Sequence, residues 1–163
     1  MNTQNSTITK LAETALMAAL CYVSFTFLQI KIPVPGGDAT SIHIGNAFCV
    51  LAALLIGGVY GGLSGAIGMG IADLMDPVYI TGAPKTFVLK FCIGLITGLV
   101  AHKIAKINES TDKKYVFKWS VIASVAGLAF NVVADPIVGY FYKQYILGQP
   151  QEPVSYTHLR AHA

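Results

Sequence analysis

Five polar residues stand inside otherwise apolar stretches of the sequence, where their chemistry would be exerted away from water. They are Asn46, Asp73, Lys90, Asn131 and Asp135. Amide and charged side chains in apolar surroundings need hydrogen-bond or charge partners, and a small polar ligand can supply them. Asn131 and Asp135 are four residues apart, so a helix would place them on one face. The pattern favours recognition of a small polar molecule.

Nucleotide, metal and covalent chemistry have no matching motif in the sequence. The glycine-rich stretch 57–70 lacks the Gly-Lys-Ser or Gly-Lys-Thr of a phosphate-binding loop. Metal-ligand spacing is absent, and the cysteines lie within apolar runs, where small buried hydrophobes are expected: Cys21, Cys49 and Cys92. We therefore predict that the protein is not an enzyme and uses no metal or other cofactor. Any energy from ATP must come through another chain.

The composition indicates how these polar groups are held. The chain has 163 residues, of which 54% are hydrophobic and only 12% charged, and its mean hydropathy is +0.60. Soluble domains carry about 25% charged residues. We predict an all-α integral membrane protein whose residues 1–150 form a single domain in the lipid bilayer. The mild net charge of +3 gives no reason to expect a nucleic-acid partner.

Five stretches approach the roughly 20 apolar residues that a membrane-spanning helix requires. They are 8–30, two within 44–74, 86–104 and 115–147. The stretch 44–74 is too long for one span, and glycines at 57, 58, 61 and 62 interrupt it. We interpret it as two short helices joined by a tight glycine turn. Pro136 predicts that the last helix is tilted or broken.

The lysines predict the orientation of the bundle. Lys10 lies at the amino-terminal end of the first span, and the loop between the fourth and fifth spans is flanked by five lysines: Lys103, Lys106, Lys113, Lys114 and Lys118. Short cytoplasmic loops are enriched in Lys and Arg. With five spans, Lys10 and this loop lie on the same side, so we place the amino terminus in the cytoplasm of a multi-pass cell membrane protein.

In this topology the five polar residues gather near the outer ends of the spans. The outer loop 31–43 adds two prolines, two glycines and a terminal His43, a composition that suits a lid over a pocket. A polar cavity that opens outwards indicates a receptor for a small molecule. As an alternative, the aspartates could be interfacial and Lys90 could extend outwards to the membrane surface.

Small residues at four-residue spacing form a second pattern. The first span carries Ala15 and Ala19, the third Gly62 and Gly70 around Ala66, and the fourth Gly94 and Gly98. Such spacing lets helices approach closely in lipid. Packing inside the bundle is the interpretation that we favour for the two glycines of the fourth span. A face of this kind can also bind a partner membrane subunit.

The end of the sequence departs from the rest. After residue 150 the apolar pattern stops, and residues 151–163 show neither the periodicity of a helix nor the composition of a typical loop. We expect this tail to be non-native, resembling translated adapter sequence, and the natural protein to continue with a further span. A genuine polar tail is the alternative.

Several short motifs give the chain a family resemblance. They are His-Ile-Gly-Asn-Ala at 43–47, Leu-Ala-Ala-Leu-Leu-Ile-Gly at 51–57, Tyr-Gly-Gly at 60–62, Ile-Ala-Asp-Leu at 71–74, Lys-Thr-Phe-Val-Leu-Lys at 85–90 and Gly-Leu-Ile-Thr-Gly at 94–98. Over about residues 8–145 the chain resembles the substrate-binding S components of energy-coupling factor (ECF) transporters, on the riboflavin-type branch.

The resemblance implies a prokaryotic subunit of six helices, one of them absent from the sequence. It implies capture of a vitamin or precursor, such as hydroxymethylpyrimidine, pyridoxine or riboflavin, from outside the cell. It also implies docking on a membrane coupling protein driven by two ATPase subunits, with Ala15 and Ala19 at the contact. The family's pocket corresponds to the region of Asn46, Lys90, Asn131 and Asp135.

Two other classes of function remain open from the residues alone. A stand-alone secondary carrier or channel for a small polar solute could use Asp135 as a proton site, although no internal repeat is visible. A scaffold subunit of a membrane complex would use only the small-residue faces.

Overall fold

A computed structural model of the chain describes residues 3–33, 39–77, 79–146 and 148. Side chains are described for these residues except 3–6, 31–33, 39–43 and 143. The architecture is a bundle of five helices, α1 Thr3–Phe27, α2 Gly45–Ile56, α3 Gly58–Met75, α4 Ala83–Gly98 and α5 Lys113–Phe141. Short π-helical turns, Leu99–Ile104 and Tyr142–Ile146, extend α4 and α5, and a 3₁₀ turn, Ile80–Gly82, precedes α4.

The helix boundaries follow from local sequence signals. Gly57 separates α2 from α3 with a φ of 99°, which non-glycine residues adopt at a penalty, so the predicted glycine turn is confirmed and is one residue long. Pro84 lies in the first turn of α4, where a missing amide hydrogen does no harm. Asp112 caps α5 by accepting a hydrogen bond of 3.0 Å from the Lys114 amide.

The first outer loop is more ordered than its composition suggests. Strands β1 Gln29–Pro33 and β2 Ala39–His43 pair antiparallel, with Gln29 opposite His43 and Pro33 opposite Ala39. Residues 34–38 between them lie outside the described residues, and the lid function stays a prediction. We call the end of the bundle with this ribbon the hairpin end, and the opposite end, with the loop 105–112, the lysine end.

Glycines set the spacing between α3 and α4, the two helices at the centre of the bundle. A Cβ atom added to Gly58 would lie 3.0 Å from the Gly94 carbonyl oxygen, and one added to Gly62 would lie 2.6 Å from the Phe91 carbonyl oxygen. The backbones are therefore in direct contact. Gly94 and Gly98 pack inside the bundle, as predicted, and neither is available to a partner.

A buried cluster fills the space between α1, α2, α3 and α4. Its fully buried members are Cys21, Cys49, Met69 and Ile93. The two cysteines behave as the predicted small hydrophobes, and each thiol also faces a backbone carbonyl: Cys21 that of Gly45 at 3.7 Å, and Cys49 that of Lys90 at 3.5 Å.

The helices have the length and composition of membrane spans. Among the described residues, three stretches are long and apolar enough to cross a bilayer by themselves, Thr7–Phe27, Ile80–Ile104 and Lys113–Ile146. The apolar α2 is shorter, and α3 packs against it. The outer surface carries many large hydrophobic side chains, among them Leu16, Val125 and Val132. The predicted all-α integral membrane protein is confirmed.

Candidate functional site

Two polar contacts join α4 to α5 near the hairpin end. The Lys85 ammonium forms an ion pair of 2.8 Å with Asp135 Oδ1, and the Lys90 ammonium donates to Asn131 Oδ1 at 3.3 Å. The contacts repeat one turn apart along both helices, because Lys85 and Lys90 are five residues apart and Asn131 and Asp135 four. At the hairpin end itself, the Tyr142 hydroxyl donates a further hydrogen bond of 2.8 Å to the Thr81 carbonyl oxygen.

Lys90 is the deeper of the two cations. It is only 6% exposed, and its ammonium group points to Asn131. An ammonium group has three donors, and the contact with Asn131 is with a neutral amide. Lys90 therefore has N–H donors left for a further acceptor. A charge in apolar surroundings is unfavourable unless it is paired, which favours the binding of such an acceptor.

Asp73 lies on α3 beside this pair of helices. It is 3% exposed, and the Thr86 hydroxyl of α4 hydrogen-bonds to its carboxylate. Its Oδ1 atom is buried and has no hydrogen-bond partner within the described part of the chain. Asp73 is thus enclosed by the bundle. It offers a buried acceptor next to the α4–α5 contacts.

Asn46 contributes a second unsatisfied acceptor from α2. Its Oδ1 atom is buried and lacks a partner among the residues that the structure describes. Asn46 precedes Cys49 by three residues, so both lie on one face of α2, and the Cys49 thiol contacts the Lys90 carbonyl oxygen. Asn46 therefore lies on the face of α2 that is turned towards α4.

A separate cleft opens at the hairpin end between α1 and α3. Its volume is about 670 Å³, within the range of roughly 300–1,000 Å³ that is usual for small-molecule sites. The lining residues are Tyr22, Phe25, Thr26, Gln29, Ala72, Met75, Asp76 and Pro77. None of the six residues predicted to bind substrate lines this cleft, although Asp73 is the chain neighbour of Ala72.

The structure therefore brings together four of the predicted residues, Asp73, Lys90, Asn131 and Asp135. Asn46 lies on the face of α2 that also carries Cys49, and the side chain of His43 lies outside the described ones. Ala15 and Ala19 are exposed on α1. Whether these residues bind substrate or a partner stays a prediction.

Sequence reasoning missed two groups of residues. Lys85 fell outside the predicted fourth span, 86–104, whereas α4 begins at Ala83. Pro84 was the available signal, since proline is favoured in the first helical turn. The α1 side of the cleft was missed because only the small residues of the first span were considered. Thr26 and Gln29, polar residues at the end of an apolar run, could have indicated it.

The fold and the buried polar groups define a class, namely a helical integral membrane protein with unsatisfied hydrogen-bonding groups inside the bundle. Comparison with known proteins makes the assignment specific. The sequence model of the family described as ECF-type riboflavin transporter, S component, matches residues 5–162. The chain belongs to this family. The predicted family is confirmed, and it is a family of substrate-binding transporter subunits, not of enzymes.

One curated relative is similar over part of the chain. A Pyrococcus woesei protein described as "Uncharacterized protein in gap 3'region" is 32% identical over 76 residues, 47% of this chain. The alignment spans about half of that relative, 49% of its length. No solved structure matches the chain.

Proposed function

We propose that the chain captures a vitamin or vitamin precursor at the hairpin end and presents it for ATP-driven import. One observation carries this proposal. Among the described residues, the buried Lys90 ammonium hydrogen-bonds to the neutral Asn131 amide, and the buried Oδ1 atom of Asp73 has no hydrogen-bond partner. A ligand with both an acceptor and a donor would complete the hydrogen bonds that the protein leaves open.

The cargo that fits these groups is small, polar and heterocyclic. Hydroxymethylpyrimidine, pyridoxine and riboflavin each combine ring nitrogens with hydroxyl groups, so each can accept from Lys90 and donate to Asp73 or Asn46. Asn131 holds the Lys90 ammonium in place, and the Lys85–Asp135 ion pair fixes α5 against α4 above it.

Import requires partners, because the sequence carries no nucleotide-binding loop. We propose a membrane coupling protein and two ATPase subunits, docked on the exposed α1 face that includes Ala15 and Ala19. Small side chains there allow close helix contact in lipid. In this arrangement the lysine end and the amino terminus face the cytoplasm, and the hairpin end faces outwards.

Mass spectrometry of small molecules that co-purify with the protein tests the proposal. The protein would be expressed in cells grown in rich medium and purified in mild detergent. We expect one vitamin-like compound, present in the wild type and lost in Lys90→Met and Asn131→Leu. Lys118→Met, which removes an exposed cation at the lysine end, is the matched control and should retain the compound.

The same variants separate the proposal from its competitors. If no compound co-purifies and none of the three candidate vitamins binds, high-affinity capture is wrong. Uptake that needs an ion gradient but no ATPase partner would favour a stand-alone carrier. Loss of complex assembly in Lys90→Met, with no effect on ligand binding, would favour a scaffold.

A further inference from the structure

The α1–α3 cleft contains two polar atoms that lack partners in the described part of the chain. Thr26 Oγ1 and Gln29 Oε1 are buried, and neither has a hydrogen bond to a described residue. Both side chains line the cleft. The Gln29 oxygen can only accept a hydrogen bond, whereas the Thr26 hydroxyl can accept or donate one. Unpaired polar groups are costly in a membrane, so the cleft favours an occupant that donates hydrogen bonds.

The hydroxyl of Thr26 differs from comparable hydroxyls elsewhere in the helices. The Thr14 hydroxyl, also on α1, donates to the Lys10 carbonyl oxygen at 2.7 Å, and the Ser124 hydroxyl donates to the Ser120 carbonyl oxygen at 2.7 Å. Such bonds to the carbonyl four residues earlier satisfy a hydroxyl within its own helix. Thr26 does not make this bond, so its hydroxyl is available to an occupant of the cleft.

The charge of the cleft favours a cationic donor. Asp76 lines the cleft, and it is the one charged side chain among the described lining residues. A cation that carries N–H groups would balance the carboxylate and donate to the open oxygens of Gln29 and Thr26. An anion would approach Asp76 with no lysine or arginine among these lining residues to neutralise it.

The mouth of the cleft opens beside side chains that face the lipid. Met75 lines the cleft and is 69% exposed. Ile71, one turn earlier on α3, is an exposed hydrophobic residue, as are Val23 and Phe27 on α1. Exposed apolar surface of this kind marks contact with a membrane. The occupant can therefore enter from the bilayer, with its polar end near Gln29 and its apolar part along Met75.

We propose that the α1–α3 cleft binds a membrane phospholipid whose headgroup carries a primary ammonium, the chemistry of phosphatidylethanolamine. The ammonium group donates to Gln29 Oε1 and Thr26 Oγ1 and lies near the Asp76 carboxylate. The apolar part of the lipid contacts Met75 and Ile71. This site does not rest on the proposed function, because the cleft shares no lining residue with the α4–α5 contacts that would hold the cargo.

Two other phospholipids match the cleft less well. Phosphatidylcholine has the same headgroup charges, but its quaternary ammonium has no N–H group and would leave both open oxygens unpaired. Phosphatidylglycerol has hydroxyl donors, but it would bring a net negative charge towards Asp76. A comparison of the three lipids therefore separates hydrogen bonding and charge from contact with the acyl chains.

Native mass spectrometry of the full chain tests the proposal. The protein would be purified in detergent, stripped of lipid and titrated with the three phospholipids, all carrying the same acyl chains. Phosphatidylethanolamine should bind the wild type about tenfold more tightly than phosphatidylcholine, the effect of one hydrogen bond to a charged group. Gln29→Leu and Thr26→Val should each remove most of this preference.

Two matched variants serve as controls. Gln144→Leu changes an exposed glutamine at the end of α5, and Thr14→Val changes a threonine of α1 whose hydroxyl is already bonded. Both should keep the wild-type preference among the lipids. In detergent without lipid, Gln29→Leu and Thr26→Val should melt at the wild-type temperature or above it, because each removes a buried group that has no partner in the described chain.

A preference for phosphatidylethanolamine that both cleft variants lose and both controls keep supports the lipid site. Equal binding of the three phospholipids to the wild type would overturn the site, since contact with acyl chains alone would then account for binding. A preference that persists in Gln29→Leu and Thr26→Val would also overturn it, because the lipid would lie elsewhere. Lys90→Met, which should lose the cargo, should bind the lipid normally, so the two proposals can fail independently.

Discussion

The contact between α3 and α4 leads to a graded prediction, because three glycines of α3 face α4 with different clearances. A Cβ at Gly62 would lie 2.6 Å from the Phe91 carbonyl oxygen, one at Gly58 would lie 3.0 Å from the Gly94 carbonyl oxygen, and one at Gly70 would lie 3.5 Å from the Phe87 ring. Ordinary contact begins at about 3.4 Å. Alanine at Gly62 therefore needs a shift of roughly 0.8 Å against backbone, whereas alanine at Gly70 needs none.

The magnitudes follow from two opposing terms. Overpacking of a well-packed interior costs about 1–3 kcal/mol, and alanine gains up to about 1 kcal/mol over glycine in a helix. We expect Gly62→Ala to lower the free energy of unfolding by about 1–2 kcal/mol. Gly70→Ala should be neutral or raise it by up to about 1 kcal/mol. Gly58→Ala should fall between the two.

The buried thiols provide the assay. Cys21 and Cys49 are fully buried, so a thiol-reactive fluorophore reports their exposure as the detergent-solubilised protein is heated. The melting temperatures should follow the order Gly70→Ala, Gly58→Ala, Gly62→Ala, from highest to lowest. Equal melting temperatures for Gly62→Ala and Gly70→Ala would show that the two helices can separate freely, and the close backbone contact would then be wrong as a source of stability.

Three further changes test individual contacts. Asp112→Ala removes the cap of α5 and should cost about 1 kcal/mol, seen as faster hydrogen exchange in the first turn of α5, whereas Asp112→Ser should largely preserve protection. A double-mutant cycle of Lys85→Met and Asp135→Asn should give a coupling energy below about 1 kcal/mol, since the Asp135 side chain is 45% exposed. A much larger coupling energy would show that the ion pair is shielded from water. His102 Nε2 lies 3.0 Å from the Ala53 carbonyl oxygen near the end of α2, so His102→Leu should increase exchange in the last turn of α2 and leave α5 unaffected.

The features that could be predicted from the sequence are those that single residues determine. Gly57 marked the turn between α2 and α3, because its positive φ strongly favours glycine. The depth of Lys90, Asn131 and Asp135 followed from counting along apolar runs. Their gathering could be predicted because antiparallel spans bring residues of similar depth to the same level.

Pairing and cavities could not be predicted in this way, because both depend on how the helices rotate about their axes. Counting along the chain does not show which lysine pairs with Asp135: Lys85 makes that contact, and Lys90 bonds to Asn131. A shift of three residues in the start of α4 was enough to hide Lys85. The cleft at Thr26 depends on the separation of α1 and α3, about which periodicity says nothing.

The shortness of α2 has a consequence for how a polar solute reaches the interior. Its 12 residues extend about 18 Å, well below the roughly 30 Å thickness of the hydrocarbon layer. Hydrophobic mismatch of this size is relieved when the bilayer thins or when headgroups and water descend towards the short segment. We therefore expect the bilayer to thin near Asn46, at the first turn of α2. Such a depression would let a hydrated molecule shed its water stepwise, without first partitioning into lipid tails.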